Sequence, residues 1–213
     1  MKIYMLDTKE NGITYIYSDK NKLSCLKLKR HYWTNMDEGK PFENWEDLYV
    51  YTNDTMNKRK KKYNIMYHNA LFVISDKNGK DLIENKFSDC VQFLDVINDD
   101  DLQNKYYLLN PFRSIDALDI DKSECDFMPN TKIPSTIEKY VFKKDVSYYP
   151  IFKLKYGGAV YNTKMYATDE FKDFIESNGI TGLVFEEIFD FDKEWFLLEV
   201  GCDLQDDTAL KPC

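Results

Sequence analysis

The stretch LFVISDKNGKDLIENKFSDCVQFLDVI, residues 71–97, decides the fold of this chain. It opens with an apolar run that contains β-branched and aromatic residues, which indicates a strand. A Ser-Asp pair follows and can cap a helix, because its side-chain oxygens accept hydrogen bonds from free backbone N–H groups. We expect the helix over Lys77–Lys86, with Leu82 and Ile83 on its buried face. A second strand is expected over Val91–Ile97, so the stretch predicts a strand–helix–strand unit.

A later stretch, residues 165–185, repeats this pattern. It contains a short strand, a Thr-Asp cap, an apolar stripe at helical spacing, a glycine stop and a closing strand. The residues that supply these features are Met165–Ala167, Thr168, Asp169, Phe171, Phe174, Ile175, Gly179 and Leu183–Phe185. Leu82-Ile83-Glu84-Asn85 matches Phe174-Ile175-Glu176-Ser177 in the second stretch. An internal β-α-β duplication is therefore one interpretation, although capped helices between strands are common.

The N-terminal third of the chain is rich in strand-forming residues. Ile3–Leu6 and Ile13–Tyr17 flank a turn at Asn11-Gly12, which predicts a β-hairpin. Pro41–Tyr51 carries apolar residues three and four positions apart, which favours a short amphipathic helix, although its aromatic residues leave a strand possible. The basic run Lys58–Lys62 has polar flanks, so we expect it in an exposed loop.

The pattern of elements also predicts the class of fold and its division. Further strands are expected over Tyr106–Leu109, Ser114–Leu118, Glu138–Phe142 and Tyr149–Leu154. Few helices and many strands predict an α+β fold, with a strand-rich mixed or antiparallel sheet and two or three short helices. The expected parts are a strand-rich N-terminal part that can pack on the main sheet (1–69), the main α+β domain (70–191) and an acidic C-terminal extension (192–213).

Side chains that usually carry catalysis are scarce in this sequence. Its two histidines, His31 and His68, do not lie in a metal-binding spacing, and no phosphate-binding glycine motif is present. The five scattered cysteines form no CxxC pair and indicate reduced thiols, and Cys90, in an apolar run, is expected in the core. No apolar stretch is long enough to predict a membrane span. We expect a cytoplasmic protein without a cofactor or metal.

One acidic segment leaves an enzymatic alternative open. The carboxylates that crowd it are Asp116, Asp119, Asp121 and Glu124. Divalent cations prefer such ligands, but Glu124 stands where a calcium loop needs glycine and Asn130 where it needs glutamate. A metal-dependent hydrolase that uses the Asp116–Glu124 carboxylates is one interpretation. A solvated loop rim is the other, because charged side chains are usually exposed.

The charge of the chain favours a protein partner over nucleic acid. The net charge of −8 disfavours nucleic acid, because phosphate backbones repel an acidic protein. Most of the excess lies in residues 169–207, which contain 13 acidic and 2 basic residues. Such a surface can steer the chain onto a basic protein. The residues expected to form it, with the two phenylalanines exposed, are Glu186, Glu187, Phe189, Asp190, Phe191, Asp192 and Glu194.

Four stretches occur in an order that resembles a known family. They are Phe72–Ser75, Val91–Val96, Tyr106–Asn110 with Ile115–Asp119, and Thr168–Gly179 leading into Ile180–Glu186. Over about residues 70–188, this order is similar to that of a bacterial immunity-protein family of polymorphic toxin systems, formerly a domain of unknown function. The resemblance implies a non-enzymatic inhibitor that binds one cognate toxin domain and blocks its active site or an essential surface. It supplies no catalytic residues.

Three functions are therefore open at the level of sequence. The first is an immunity protein whose acidic surface docks on a cognate toxin domain. A basic enzyme such as a nuclease would fit the role of that toxin. The second is the metal-dependent hydrolase, and the third is an interaction domain without a toxin partner. The sequence indicates neither the toxin's activity nor the oligomeric state.

Overall fold

The computed structural model describes residues 1–9, 15–18, 20, 40–43, 45, 48–52, 61–68, 71–130 and 134–193. Its elements are, in chain order, β1 (Lys2–Thr8), β2 (Tyr15–Tyr17), β3 (Leu48–Thr52), β4 (Ile65–His68), β5 (Leu71–Ile74), α1 (Lys77–Phe87), β6 (Val91–Asn98), β7 (Tyr106–Pro111), β8 (Ser114–Ile115), β9 (Glu124–Phe127), β10 (Pro134–Lys139), β11 (Ile151–Tyr156), β12 (Ala159–Thr168), α2 (Asp169–Ser177) and β13 (Leu183–Asp190).

The described strands form two large sheets and one small one. The first has the order β2-β3-β6-β7-β5-β4, the second has the order β13-β1-β12-β11-β8, and β9 pairs with β10 in the third. Neighbouring strands are antiparallel except β3 with β6 and β8 with β11, which are parallel. The predicted α+β class, rich in strands and with mixed sheets, is confirmed, but the strands are divided among several sheets.

A central core joins the two large sheets and both helices. The helix residues at its centre are Ile83, Phe87, Phe171 and Ile175, each at most 1% exposed. Strand residues of both sheets pack around them, including Leu109 of β7 and Ile151 of β11. The ring centroids of Phe87 and Phe171 are 5.3 Å apart, so the two helices touch. Burial of side chains of this size contributes about 1.5–3 kcal/mol each.

Each large sheet also buries its outer face. On the first sheet, Leu48 and Val50 of β3 pack against Leu108 of β7. On the second, Phe152 and Tyr166 stack with ring centroids 5.9 Å apart, under the segment that holds the small sheet. Strands buried on both faces need nearly continuous apolar runs. This explains why every residue of β7 is buried.

The stretch at residues 71–97 folds as its sequence predicts, with one error. β5, α1 and β6 confirm the strand–helix–strand unit, and Asp76 is the helix cap: its carboxylate accepts from the backbone N–H groups of Asn78 and Gly79. Ile83 is fully buried, but Leu82 is 42% exposed, so the expectation for Leu82 is wrong. The buried stripe runs at intervals of one helical turn, and Leu82 lies about 100° away from Ile83 on the helix surface.

In the N-terminal third, the predicted hairpin is wrong, and for Pro41–Tyr51 the strand alternative is the one that β3 confirms. Ile3–Leu6 lies within β1, which pairs with β12 and β13, whereas β2 pairs with β3 in the other large sheet, so they form no hairpin. β1 is apolar on both faces, and a central sheet position buries both. The helix expected over Pro41–Tyr51 is replaced at its C-terminal end by β3, where Leu48 and Val50 alternate with the less buried Tyr49. Of the basic run, Lys61 and Lys62 are exposed, and residues 58–60 lie outside the described residues.

The two strand–helix–strand stretches fold into matching units. The first unit comprises β4, β5, α1, β6 and β7, in the sheet order β4-β5-β7-β6. The second unit comprises β11, β12, α2, β13 and β1, in the sheet order β11-β12-β1-β13. In both, the strands that flank the helix run parallel to each other, with one antiparallel strand inserted between them.

The match between the units extends to individual residues. The helix caps Asp76 and Thr168 are separated by a fixed number of residues in the sequence. The same number separates the starts of the two helices, the starts of β6 and β13, and the ends of these two strands. At the same separation, Lys80-Asp81-Leu82-Ile83-Glu84 corresponds to Lys172-Asp173-Phe174-Ile175-Glu176. Agreement of sequence, register and topology supports the internal duplication. The division of the chain into residues 1–69, 70–191 and 192–213 stays a prediction.

Candidate functional site: a charged face on β1 and β13

The N-terminus of α2 is joined to β1 by one carboxylate. Thr168 occupies the cap position without a side-chain capping bond. Asp169 instead accepts from the backbone N–H of Lys2 at 2.8 Å and from the hydroxyl of Tyr4 at 3.0 Å. The pKa of Tyr4 lies well above its ordinary value, because burial disfavours the phenolate and Asp169 accepts its proton in a hydrogen bond. The start of the helix thereby fixes the position of the central strand.

A second set of charges lies beside this carboxylate. Lys2 Nζ is 2.7 Å from a Glu187 oxygen and 4.0 Å from an Asp190 oxygen. Lys193 contacts the same two acids, at 3.1 and 3.6 Å. Hydrogen bonds from Lys2 and then Lys193 lower the pKa of Glu187. We call Lys2, Tyr4, Asp169, Glu187 and Asp190 the β1–β13 face.

The sequence predicted an acidic surface here, whereas its acidic side chains pair with cations in the described part of the chain. Besides the two lysines, the N-terminal ammonium of Met1 lies 3.0 Å from Asp192. Glu186 is exposed and has no ion pair among the described residues. Lys2, Tyr4 and Asp169 were not predicted, because the pairing of β1 with β13 joins opposite ends of the chain. The apolar run Ile3–Leu6 was the available signal, since such a run indicates a strand that is buried on both faces.

The two predicted aromatic residues do not lie on this surface. Phe189 and Phe191 are 5% and 8% exposed, so the expectation that they are exposed is wrong. Their rings are 4.8 Å apart, and Phe189 lies 5.4 Å from the Phe142 ring in the outer core of the second sheet. A bulge in β13 places Phe189 opposite Ile3 and so turns it inward. Glu194 lies outside the described residues.

The acidic segment of the enzymatic alternative consists of separate ion pairs. Asp116 lies 2.9 Å from Lys143, and Asp119 lies 3.0 Å from Lys122. Glu124, on β9, lies 3.9 Å from Lys139 of β10. Within the part of the chain that the structure describes, no three His, Cys, Asp or Glu side chains are grouped so as to hold a metal ion. His68 is the last residue of β4, and His31 lies outside the described residues.

Other groups with reactive side chains are inert or distant from the face. Cys90 is fully buried in the central core, as predicted, and desolvation raises its thiol pKa to about 12. The Sγ donates to the carbonyl of Phe87 at 3.5 Å. Such a thiol is almost entirely protonated at neutral pH and a poor nucleophile.

Among the described residues, no helix has the length and apolar character needed to cross a membrane.

The fold and the face together define a class of protein. It is a strand-rich α+β protein in which charged side chains of β1, β13 and the start of α2 are clustered. More particularly, the chain belongs to the Imm11 immunity protein family, whose model matches residues 3–190. The match therefore begins well before residue 70, where the resemblance in the sequence was first visible. No curated protein matches the chain. Family membership supports an immunity function and suggests a role without catalysis.

Proposed function

We propose that this chain is a cytoplasmic immunity protein that binds and neutralises one cognate toxin domain of a polymorphic toxin system, without catalysis. The observation that carries the proposal is the match of the immunity family over residues 3–190, which includes both units and β1. The β1–β13 face gives the proposal a physical basis, since charged groups at the edge strand β13 are available to a partner.

The toxin partner is expected to be basic, and a nuclease would fit this expectation. Glu186 is exposed without a described ion pair, and Glu187 and Asp192 are also exposed. The acidic residues beyond β13 add to the negative potential, including Glu194. A nuclease must attract a polyanion, so an acidic inhibitor is drawn to its active site by the same field and competes with the substrate. Glu186, Glu187, Asp190, Asp192 and Glu194 are the proposed contacts, with Phe189 and Phe191 supporting them from inside.

The experiment is protection of cells by co-expression. The first step is to search the genes beside this chain for a large secreted protein with a C-terminal toxin domain, which then serves as the probe. We expect growth only when both are expressed, and a 1:1 complex by isothermal titration calorimetry with an inactivated toxin domain. Absence of both protection and complex would contradict the proposal.

Charge reversal tests the surface itself. The variant Glu186→Lys, Glu187→Lys, Asp190→Lys should lower the association rate by about tenfold or more at low salt, with a smaller effect at high salt. The matched control reverses three charges on the small sheet, Glu124→Lys, Asp126→Lys and Glu138→Lys. Glu187 and Asp190 pair with Lys2, so their reversal also removes contacts that hold β1. Glu186 has no described ion pair, and the single variant Glu186→Lys therefore tests the effect of charge on binding alone. Equal association rates for the control and the test variant would contradict the role of this face.

A further inference from the structure

The outer edge of β13 is available for pairing within the described part of the chain. β13 ends the second sheet and has a described partner, β1, on one side. Lys9 N–H donates to the Gly182 carbonyl at 2.9 Å, which fixes the alternation of bonded pairs along the ladder. By this alternation, the backbone groups of Leu183, Phe185 and Glu187 point away from β1. The backbone groups of Val184 and Glu186 point toward β1. Val184 is 40% exposed.

The first unit shows what this edge can accept. Its corresponding strand is β6, and β3 pairs with β6 in parallel on the side away from β7. β3 aligns Leu48 with Val96 and Val50 with Asn98, which corresponds to Asp190 in β13. The same strand geometry is therefore paired in one unit and has no described partner in the other. A row of free N–H and C=O groups is a template for a further strand.

We propose that the toxin docks by adding an extended segment to the outer edge of β13, so that its backbone completes the second sheet as β3 completes the first. This proposal rests on the proposed immunity function and specifies how the face is used. Backbone hydrogen bonds supply the common part of the affinity, and side chains supply the specificity. The segment should carry Lys or Arg, because Glu186 and Glu187 are exposed on this strand.

The test uses a proline on the outward side of the edge. Glu187→Pro removes an N–H that points away from β1, and proline is tolerated on an edge strand when that N–H faces solvent. Glu187→Gln is the matched control, because it removes the same charge and keeps the N–H. Both variants are measured in the full chain by calorimetric titration with the inactivated toxin domain encoded beside it, and by thermal melting of the free protein.

We expect Glu187→Pro to weaken binding at least tenfold relative to Glu187→Gln, with melting temperatures of the two variants within a few degrees. Equal affinities of the two variants would overturn strand addition while leaving the immunity function intact. A melting temperature lowered only by the proline would show that the chain's own residues already use this edge, which also overturns the proposal. Size-exclusion chromatography of the free proteins completes the test: a dimer of the unaltered chain that only the proline variant loses would assign the edge to a second copy and overturn the proposal. Failure of the unaltered chain to bind would instead contradict the immunity function.

Discussion

The two units have nearly the same interior and different boundaries. In both, a lysine of the helix lies over a tyrosine of the inserted strand: Lys80 Nζ is 5.4 Å from the Tyr107 ring, and Lys172 Nζ is 5.7 Å from the Tyr4 ring. Those tyrosines occupy the same register, opposite Asp95 in the first unit and Glu187 in the second.

The boundaries differ in the source of the inserted strand and in the outer edge. The first unit takes its inserted strand, β7, from the residues that follow β6, and β3 pairs with its edge. The second unit takes β1 from the other end of the chain, and paired charges line its edge. The common interior thus serves stability. The features that we propose for binding lie where the second unit departs from the first.

The largest effects should come from the shared core and should be equal in the two units. Phe87→Ala and Phe171→Ala should each cost about 3–5 kcal/mol of unfolding free energy, because each leaves a cavity in a tightly packed core. Urea denaturation measures both, with Leu82→Ala as the exposed control. Because the two rings touch, the double variant should cost less than the sum. A large cost in one unit only would show that the units do not share one core.

A smaller effect should separate the starts of the two helices. Asp169→Ala removes the acceptor for Lys2 N–H and the Tyr4 hydroxyl and should cost about 1–3 kcal/mol, since both donors lose their partner. Asp76→Ala removes a helix cap and should cost about 0.5–2 kcal/mol. Asp169→Asn keeps one acceptor oxygen and should recover part of the loss in urea denaturation. If Asp169→Ala leaves the free energy of unfolding unchanged, the link between α2 and β1 contributes nothing to stability.

The smallest effect should again be common to both units. Lys80 pairs with Glu84 and Lys172 pairs with Glu176, each one turn further along its helix. Glu84→Gln and Glu176→Gln should each cost about 0.2–0.5 kcal/mol, because pairs one turn apart on a helix surface contribute little and both glutamates are partly exposed. Thermal melting in low salt and in 1 M salt measures the difference, which should vanish in high salt. A cost that persists in high salt would indicate a packing role for the glutamate.

Local pattern predicted the elements of this fold better than it predicted their partners. The strand, cap and helix of residues 71–97 were predictable, because capping and helical spacing act within a few residues. The position of β1 was not, because its partners β12 and β13 lie at the opposite end of the sequence. The turn signal at Asn11-Gly12 favoured a local hairpin, whereas burial of both faces of β1 required a central position.

The candidate site was likewise predictable where it depended on local composition, and not where it depended on strand pairing. Acidic composition identified Glu186, Glu187 and Asp190 as surface residues; Glu186 and Glu187 are exposed, whereas only 10% of the Asp190 side chain is exposed. Composition gave no indication of Lys2 as their partner, since ion pairs depend on strand pairing. The inward direction of Phe189 depends on a bulge, which shifts the register by one residue and reverses the side chain. The role of the acidic residues Glu186, Glu187 and Asp190 in toxin binding stays a prediction.

The position of β1 has a consequence during synthesis. At about 5–20 residues per second, a ribosome needs on the order of ten to forty seconds to move from β1 to the end of β13. The first unit is contiguous and can close during that interval, whereas β1 receives β12 and then β13 only while the second unit is being translated. Contacts this distant in sequence also slow folding. A newly made chain therefore completes the β1–β13 face last.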